Sequence, residues 1–356
     1  MMGERVMGKR ATIRDIAREA GVSVASVSNV LNGVDKVSEE TRERIIQVMM
    51  DLDYHPNLVA RSLTKRRSDM LGLLLPITDE GPASTSLLLR DNPFYGELLS
   101  GVEFQASALG YDVVIKGIRS GESCRDWVLK RNLDGAIFLG NFSEVISEEL
   151  QGLGRRLVLV DCYDEGSQVH STIGIDDENG GYLAAKHLLE NGHRRIALVA
   201  SNVNLDGPIR RRYLGYKRAM EESGLSVTED LILLDELSFD GGYRVGKKIL
   251  ERHDITAVFA VGDVMAFGIL KAMHEADKNI PDDLSIVGFD NAKGCEYSKP
   301  ALTSVDQPVY DRGRMAVEAL VAAIREENPT LTHKTLPVSL KIRNSVAPLA
   351  EERKCE

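Results

Sequence analysis

Residues 12–32 read TIRDIAREAGVSVASVSNVLN, a stretch that predicts two short helices joined by a tight turn. Apolar residues recur at helical spacing after Thr12, which is a candidate N-cap with Asp15 three residues later. Gly21 can adopt the positive φ that closes a helix, and Ser23 can cap the helix that follows. Two helices separated by three or four residues with a glycine in the turn form a helix-turn-helix.

A third helix is predicted after Asn32 and Gly33. Ser38 is its candidate N-cap, and two glutamates follow in the first turn, where the helix dipole favours negative charge. The predicted buried stripe consists of Ile45, Ile46, Val48, Met49 and Leu52. By periodicity alone, the three helices also fit a plain bundle.

The longer string resembles the DNA-binding head of the lactose-repressor and galactose-repressor family. The matching pieces are residues 12–17 (TIRDIA), 20–23 (AGVS) and 27–32 (VSNVLN). Residues 54–57 (YHPN) and 59–63 (VARSL) are similar to that family's hinge helix. The resemblance implies a helix-turn-helix DNA-binding domain at 1–55, followed by a hinge helix and linker at 56–68.

The second helix of such a head presents its first residues to base edges in the major groove, while short hydroxyl side chains meet phosphates. Asn29 can form two hydrogen bonds with adenine, and Val24 and Ala25 can make apolar contacts with a thymine methyl group. The family often has Arg or His where this chain has Asn29, so no operator sequence is carried over. The predicted phosphate contacts are Thr12, Ser23, Ser26 and Ser28.

The hinge segment from Asn57 to Leu63 is too short to form a stable helix alone, because isolated helices below about 12 residues barely form in water. The resemblance implies that it pairs with the same helix of a second subunit in the DNA minor groove. There Leu63 would wedge between base steps, with Asn57 and Arg61 as further DNA contacts. Packing of Leu63 on the rest of the protein is the alternative.

Charge is distributed unevenly along the 356 residues. The net charge of −10, taken alone, argues against a nucleic-acid-binding protein. Residues 1–67 nevertheless carry 12 Lys and Arg against 9 Asp and Glu, a balance of +3, which leaves −13 for the remainder. A small basic unit is therefore attached to a large acidic one, and such asymmetry indicates separate roles.

From Met70 onward, short apolar strands alternate with amphipathic helices, a pattern typical of parallel sheets buried on both faces. Two Rossmann-like lobes are predicted, with a single eight-stranded barrel as the competing interpretation. Further strings resemble the same family: residues 192–196, 262–266, 288–291 and 302–308. They imply a fold like the type I periplasmic binding proteins, with chain crossovers near Ile175, Val305 and Leu336. The implied body spans 69–347, with an N-lobe of about 69–175 and 306–336, a C-lobe of about 176–305 and 337–347, and a tail at 348–356.

Ligands of open α/β sheets bind beyond the carboxyl ends of the strands, so an effector cleft is expected between the lobes. Carboxylates accept hydrogen bonds from hydroxyl groups and arginine donates them, a combination that suits a sugar, although a purine would use similar groups. For Asp161 and Asp263, capping of the following helix or turn is the alternative. An insertion at 79–91 precedes the aromatic pair. The predicted effector contacts are Phe94, Tyr95, Asn141, Asp161, Arg212, Asp263 and Asp290.

No nucleophile motif, dinucleotide fingerprint or histidine pair with metal-ligand spacing occurs, so no enzymatic activity, metal or cofactor is expected. Four widely spaced cysteines and no signal-like or membrane-spanning segment predict a cytoplasmic protein. The function predicted is a ligand-responsive transcriptional regulator that binds operator DNA as a homodimer. A free-standing sugar-binding protein and a carbon regulator triggered by a partner protein are the alternatives. Whether the effector releases or recruits the operator complex stays open.

Overall fold

The computed structural model describes residues 11–31, 34–54, 67–77, 85–119, 122–140, 152–163, 169–326 and 329–349. Contacts divide the chain into two compact units, Met1–Ser68 and Asp69–Glu356, which we call the head and the body. Within the described residues, no helix has the length and apolar character needed to cross a membrane.

The described part of the head consists of three helices: α1 (Ile13–Glu19), α2 (Val24–Leu31) and α3 (Glu39–Asp51). The predicted capping box at the start of α1 is confirmed, because Asp15 N donates to Thr12 Oγ1 at 3.4 Å and Thr12 N donates to Asp15 Oδ2 at 3.0 Å. Gly21 has a φ of +64°, which favours glycine and ends the first helix as predicted.

The core of the head is formed by the faces that the three helices turn toward one another. Its buried members are Ile16, Ala17, Ala20, Val27 and Ile45. The predicted stripe of α3 is wrong in two places, because Ile46 and Leu52 are each 39% exposed. Ile46 is rotated about 100° from Ile45 around the helix, and Leu52 lies beyond the last helical residue.

The body contains two six-stranded sheets. Its strands in chain order are β1 (Met70–Ile77), β2 (Asp112–Arg119), β3 (Gly135–Leu139), β4 (Leu157–Val160), β5 (Ser171–Ile175), β6 (Ile196–Ala200), β7 (Ile232–Leu234), β8 (Ala257–Ala260), β9 (Ser285–Asp290), β10 (Thr303–Asp306), β11 (His333–Leu336) and β12 (Ser339–Lys341). Its helices are α4 (Thr85–Asp91), α5 (Pro93–Ala108), α6 (Cys124–Lys130), α7 (Asp177–Glu190), α8 (Pro208–Glu222), α9 (Phe239–Ile249), α10 (Asp263–Glu275), α11 (Gly294–Tyr297) and α12 (Val309–Arg325).

Strand order defines the two lobes. The first sheet has the order β11-β5-β4-β3-β1-β2 and the second β12-β10-β9-β8-β6-β7. All neighbours are parallel except β12, which pairs antiparallel with β10. The predicted two-lobed α/β architecture is confirmed, and a single barrel is excluded because the sheets are separate and open.

The chain passes from one sheet to the other after β5, after β10 and after β11. Helix α12 follows the second passage but packs on strands of the first sheet. The strands at the centre of each sheet are buried between apolar side chains that pack on both faces. This topology directs the carboxyl ends of β4 and β9, in different lobes, toward the same region, as the contacts described below demonstrate.

Two glycines set the separation of α7 and α8, the helix pair that carries part of this region. A Cβ atom on Gly181 would lie 2.0 Å from the carbonyl oxygen of Arg212, and one on Gly215 would lie 1.8 Å from that of Glu178. Both distances are far below van der Waals contact, so the backbones approach as closely as they do because neither position has a side chain.

We expect Gly215→Ala to destabilise the body by about 1–3 kcal/mol, because the methyl group must push α8 away from α7. Gly96→Ala in α5 is the matched control, since a Cβ there meets no described atom within 4 Å. Removing glycine from a helix interior stabilises it by about 0.5–1 kcal/mol. Urea denaturation of the full-length chain measures both. Equal midpoints for the two variants would contradict the close packing.

Candidate functional site

The first turn of α2 is exposed in the helix-turn-helix. Ser26 N donates to Ser23 Oγ at 3.0 Å, so Ser23 caps α2 as predicted. The adjacent Val24 is 43% exposed, and Ala25 is also exposed. An apolar side chain held at the start of a capped helix, without a covering partner in the described head, has the placement that a base contact in a DNA groove requires.

The remaining predicted DNA contacts divide into two groups. Thr12 is exposed at the start of α1, whereas Ser26, Ser28 and Asn29 are half-buried along α2. The Ser26 hydroxyl lies 2.9 Å from Ser23 Oγ, so the two hydroxyl groups form a hydrogen bond at the start of α2. The predicted contacts Asn57, Arg61 and Leu63, and the predicted effector contact Asn141, lie outside the described residues.

In the body, a polar cluster joins the two lobes, and Arg212 forms its C-lobe side. Arg212 Nε donates to Asp177 Oδ1 at 2.7 Å and Nη1 donates to the carbonyl oxygen of Val261 at 2.6 Å. Its guanidinium carbon lies 3.6 Å from the centroid of the Phe289 ring, and Nη1 is 3.8 Å from Asp290 Oδ1. Arg212 is thus fixed on several sides at the carboxyl ends of the C-lobe strands.

Arg312 forms the N-lobe side of the cluster. It projects from α12, is fully buried, and donates to Asp161, the residue that follows β4. Its Nη2 donates to Gln307 Oε1 at 2.5 Å, and the Gln307 amide nitrogen donates to Asp290. Because an arginine can only donate, its contact assigns the oxygen of the Gln307 amide. Gln307 therefore connects Arg312 on one lobe with Asp290 on the other.

Of the predicted effector contacts, Asp161, Arg212 and Asp290 belong to this cluster. Asp161 and Asp290 have φ values of +57° and +111°, which non-glycine residues seldom adopt, and such strain often occurs at functional sites. Sequence reasoning missed Arg312, Gln307, Asp177 and Tyr163. The Tyr163 hydroxyl donates to Asp177, which is also the partner of Arg212. A sequence signal existed for Arg312, as a charged residue inside an otherwise apolar helical stripe.

The predicted aromatic pair lies at the start of α5. Asn92 caps this helix, accepting from Phe94 N at 3.1 Å, and Pro93 occupies its first position. The rings of Phe94 and Tyr95 meet edge to face with centroids 5.2 Å apart. The Phe94 ring lies 5.3 Å from the guanidinium carbon of Arg312, and burial raises the pKa of Tyr95 to about 12. Both aromatic residues therefore adjoin the N-lobe side of the cluster.

Asp263 has a different set of partners. One carboxylate oxygen accepts from Ser304 Oγ at 2.7 Å, and the other accepts from Ala292 N at 2.8 Å and from Cys295 Sγ at 3.1 Å. Asp263 is buried, and its three donors belong to β10 and to the segment after β9. Its hydrogen bonds hold the loop that follows Asp290, and so Asp263 stabilises the position of Asp290 in the cluster.

Burial dominates the electrostatics of the cluster carboxyl groups. It raises the pKa of Asp290 to about 8, against the opposing effect of Arg212, and raises the pKa of Asp161, against that of Arg312. Two guanidinium groups therefore face carboxyl groups that are harder to ionise than usual. The arrangement offers fixed donors from arginine and glutamine together with acceptors from the carboxyl groups, which is suited to binding a small polar molecule.

A helix-turn-helix head combined with a two-lobed α/β body and an interlobe polar cluster defines a DNA-binding transcriptional regulator. The model of "Bacterial regulatory proteins, lacI family" matches residues 12–57, and that of "Periplasmic binding protein-like domain" matches residues 185–346. The chain belongs to the LacI family, because it is similar over nearly its full length to regulators of known name.

Three such relatives are regulators by name. The HTH-type transcriptional regulator DegA of Bacillus subtilis is 33% identical over 353 residues, covering 96% of this chain and 99% of DegA. Catabolite control protein A of Priestia megaterium is 33% identical over 342 residues, covering 94% and 98%. The HTH-type transcriptional repressor PurR of Vibrio campbellii is 32% identical over 356 residues, covering 95% and 99%. The family consists of regulators, so the prediction that the chain is not an enzyme is confirmed.

Solved structures agree on the fold. A complex of the transcriptional regulator CelR with cellobiose has a TM-score of 0.70 at 29% identity and covers 94% of this chain and all of that one. A Lac repressor dimer bound to operator has a TM-score of 0.79 at 24% identity and covers 96% of this chain and all of that one. The first of these holds a disaccharide, and the second shares the architecture of the whole chain.

We expect Ser23→Ala to loosen α2, because an N-cap hydroxyl contributes about 1 kcal/mol to helix stability. Hydrogen–deuterium exchange of the α2 peptide in the full-length chain should accelerate about fivefold. Ser38→Ala is the control: Ser38 occupies the N-cap position of α3, but its hydroxyl contacts Thr41 Oγ1 and caps no described backbone amide. If exchange of α3 in Ser38→Ala accelerates as much as exchange of α2 in Ser23→Ala, the cap assigned to Ser23 is wrong.

Proposed function

We propose that this LacI-family chain is a transcriptional repressor that binds a near-palindromic operator as a homodimer. A small effector, a sugar or sugar derivative, binds between the lobes of the body and changes operator affinity through the hinge segment 56–68. The observation that carries the effector part is the connection of Arg312 to Asp290 through Gln307, because it brings strand ends of both lobes to one polar cluster.

The mechanism we propose is linkage between the cleft and the hinge. A molecule that binds one arrangement of the lobes better than another shifts the population toward that arrangement. If two copies of the body hold their hinge segments at a separation set by the lobes, the effector changes whether the hinges can pair on DNA. Operator affinity and effector affinity must then change by the same factor, since coupling is reciprocal.

A sugar is the first candidate for the effector because the cluster combines arginine donors with carboxyl acceptors, which match adjacent hydroxyl groups. The complex of CelR with cellobiose supports this choice. A purine is the second candidate. It is favoured by the aromatic pair Phe94 and Tyr95, on which a flat ring can stack, and by the similarity to a repressor named PurR.

For the head, we propose that Val24, Ala25 and Asn29 contact bases and that Thr12, Ser23, Ser26 and Ser28 contact phosphates, with Asn57, Arg61 and Leu63 acting in the minor groove. The balance of +3 over residues 1–67 is small. A single head should therefore bind weakly, so useful affinity requires two heads on one operator and falls steeply with salt.

We expect Leu63→Ala to weaken binding to the operator by tenfold or more while leaving binding to unrelated duplex nearly unchanged, because an apolar wedge acts at a specific kinked step. Fluorescence anisotropy of the full-length protein with an operator selected from genomic fragments, and with a scrambled duplex, measures both. Leu129→Ala controls for loss of an exposed leucine, since Leu129 is 55% exposed in the body. Equal losses on the two DNAs would contradict the wedge.

We expect Arg212→Gln to reduce effector affinity about tenfold to a hundredfold, because hydrogen bonds from a charged group contribute about 1.5–3 kcal/mol. Asp290→Asn should have a similar effect and leaves the Arg212–Asp177 pair intact. Calorimetry with sugars, nucleosides and purine bases provides the measurement. Arg218→Gln is the control on the same helix, pairing with Glu178 at 2.6 Å on the exposed side. If no small molecule in the panel binds, the result contradicts the cleft proposal and favours a protein as the effector.

A further inference from the structure

We propose that the cleft selects an acidic sugar, a polyhydroxyl molecule carrying a carboxylate or phosphate group, and that Arg312 is the residue that recognises this oxyanion. The inference rests on the proposed function, because it concerns the chemical class of the effector in the same cleft.

The position of Arg312 requires an explanation. Its side chain is 0% exposed, and the other buried residues of α12 are glycine, alanine, valine, leucine and isoleucine. A buried guanidinium is strongly disfavoured unless its charge and its donors are satisfied. An apolar residue at this position would pack the lobe without that cost, so the charge is expected to serve binding.

The donors of Arg312 are incompletely used. One terminal nitrogen donates to Asp161 and the other to Gln307, while the buried Nε has no hydrogen-bond partner in the described part of the chain. Nε and Nη2 lie on the same edge of a guanidinium and point in parallel. That edge is the one on which a carboxylate or phosphate binds with two hydrogen bonds. Nε supplies an unpaired donor on that edge.

Comparison with Arg212 supports the assignment. Arg212 has a close, buried carboxylate partner in Asp177, a carbonyl partner in Val261 and an aromatic face beneath it, and none of its nitrogens is among the buried unpaired atoms of the described residues. These contacts hold the Arg212 side chain in place. The unpaired Nε of Arg312 points to the N-lobe side of the cluster as the place where a ligand oxyanion binds.

Electrostatics favour an anion at that place. Two of the carboxyl groups beside the guanidinium groups, Asp161 at Arg312 and Asp290 at Arg212, have pKa values raised by burial. A ligand carboxylate or phosphate carries negative charge near neutral pH and can pair with a guanidinium edge through two hydrogen bonds. The ring of Phe94 beside Arg312 offers an apolar surface for the sugar face next to the acidic group.

Calorimetry with matched sugars tests the proposal on the full-length protein. The probes are glucose, glucuronate and glucose 6-phosphate; galactose and galacturonate; and ribose and ribose 5-phosphate. We expect at least one acidic member to bind about tenfold to a hundredfold more tightly than its neutral partner. The uronate and phosphate arms identify which oxyanion the cleft takes.

Substitution then attributes the preference to its residue. Arg312→Gln should bring the ratio of acidic to neutral affinity close to one, and Arg312→Lys should reduce it while retaining the charge, since lysine lacks the two-pronged edge. Arg314→Gln, which changes a partly exposed residue on the same helix, should leave the ratio unchanged.

Three results would overturn the proposal: neutral partners that bind the unaltered protein as tightly as acidic ones, an acidic preference that survives in Arg312→Gln, or an equal loss for both members of a pair. If Arg312→Gln does not fold, the affinities of acidic and neutral sugars for the unaltered protein and for Arg312→Lys still test the proposal. Binding of neutral sugars or purines alone refutes this inference and leaves the proposed function standing, whereas no binding by any sugar or purine refutes both.

Discussion

The contact of Gln307 with both Arg312 and Asp290 is the interaction on which the arrangement of the body depends. It is a neutral amide that links a cation on one lobe to an acid on the other. An amide can accept from the first and donate to the second, whereas any charged side chain there would repel one of them. Gln307 also stands immediately after β10, where the chain passes between the lobes. The segment that connects the sheets therefore carries the amide that contacts both lobes.

Backbone packing gives this cluster its rigidity. Gly181 and Gly215 allow α7 and α8 to approach until Arg212 reaches Asp177, and the turn after β9 is held by Asp263 through three hydrogen bonds. Contacts with helices and strand ends thus hold the C-lobe side of the cluster in place. The N-lobe side rests on one arginine from α12 and one carboxyl after β4. The side chains on the C-lobe side of the cluster are therefore held by more contacts than those on the N-lobe side.

The sequence predicted the architecture because its signals are local. Glycine at position 21, the Thr12 and Asp15 box, and apolar strands bounded by turn residues each act within a few residues. It also identified Asp161, Arg212 and Asp290, which stand at strand ends or helix starts. Arg312, Gln307, Asp177 and Tyr163 escaped because their role depends on contacts that only the folded lobes create, such as the contact of Arg312 with Asp161, 151 positions away in sequence. The strands β5, β10, β11 and β12 escaped as well, since polar residues interrupt the apolar pattern of these short segments.

The threefold passage of the chain between lobes has a consequence for biosynthesis. Strands β1 to β5 leave the ribosome first, but α12, which covers β3, β4 and β5, is encoded after strands β6 to β10 of the C-lobe. Strand β11, which completes the same sheet beside β5, comes later still. The apolar face of the nascent N-lobe is therefore open throughout translation of residues 176–308. A pause in translation within that interval exposes an aggregation-prone surface. A chaperone that binds nascent chains would therefore protect this protein while residues 176–308 are translated.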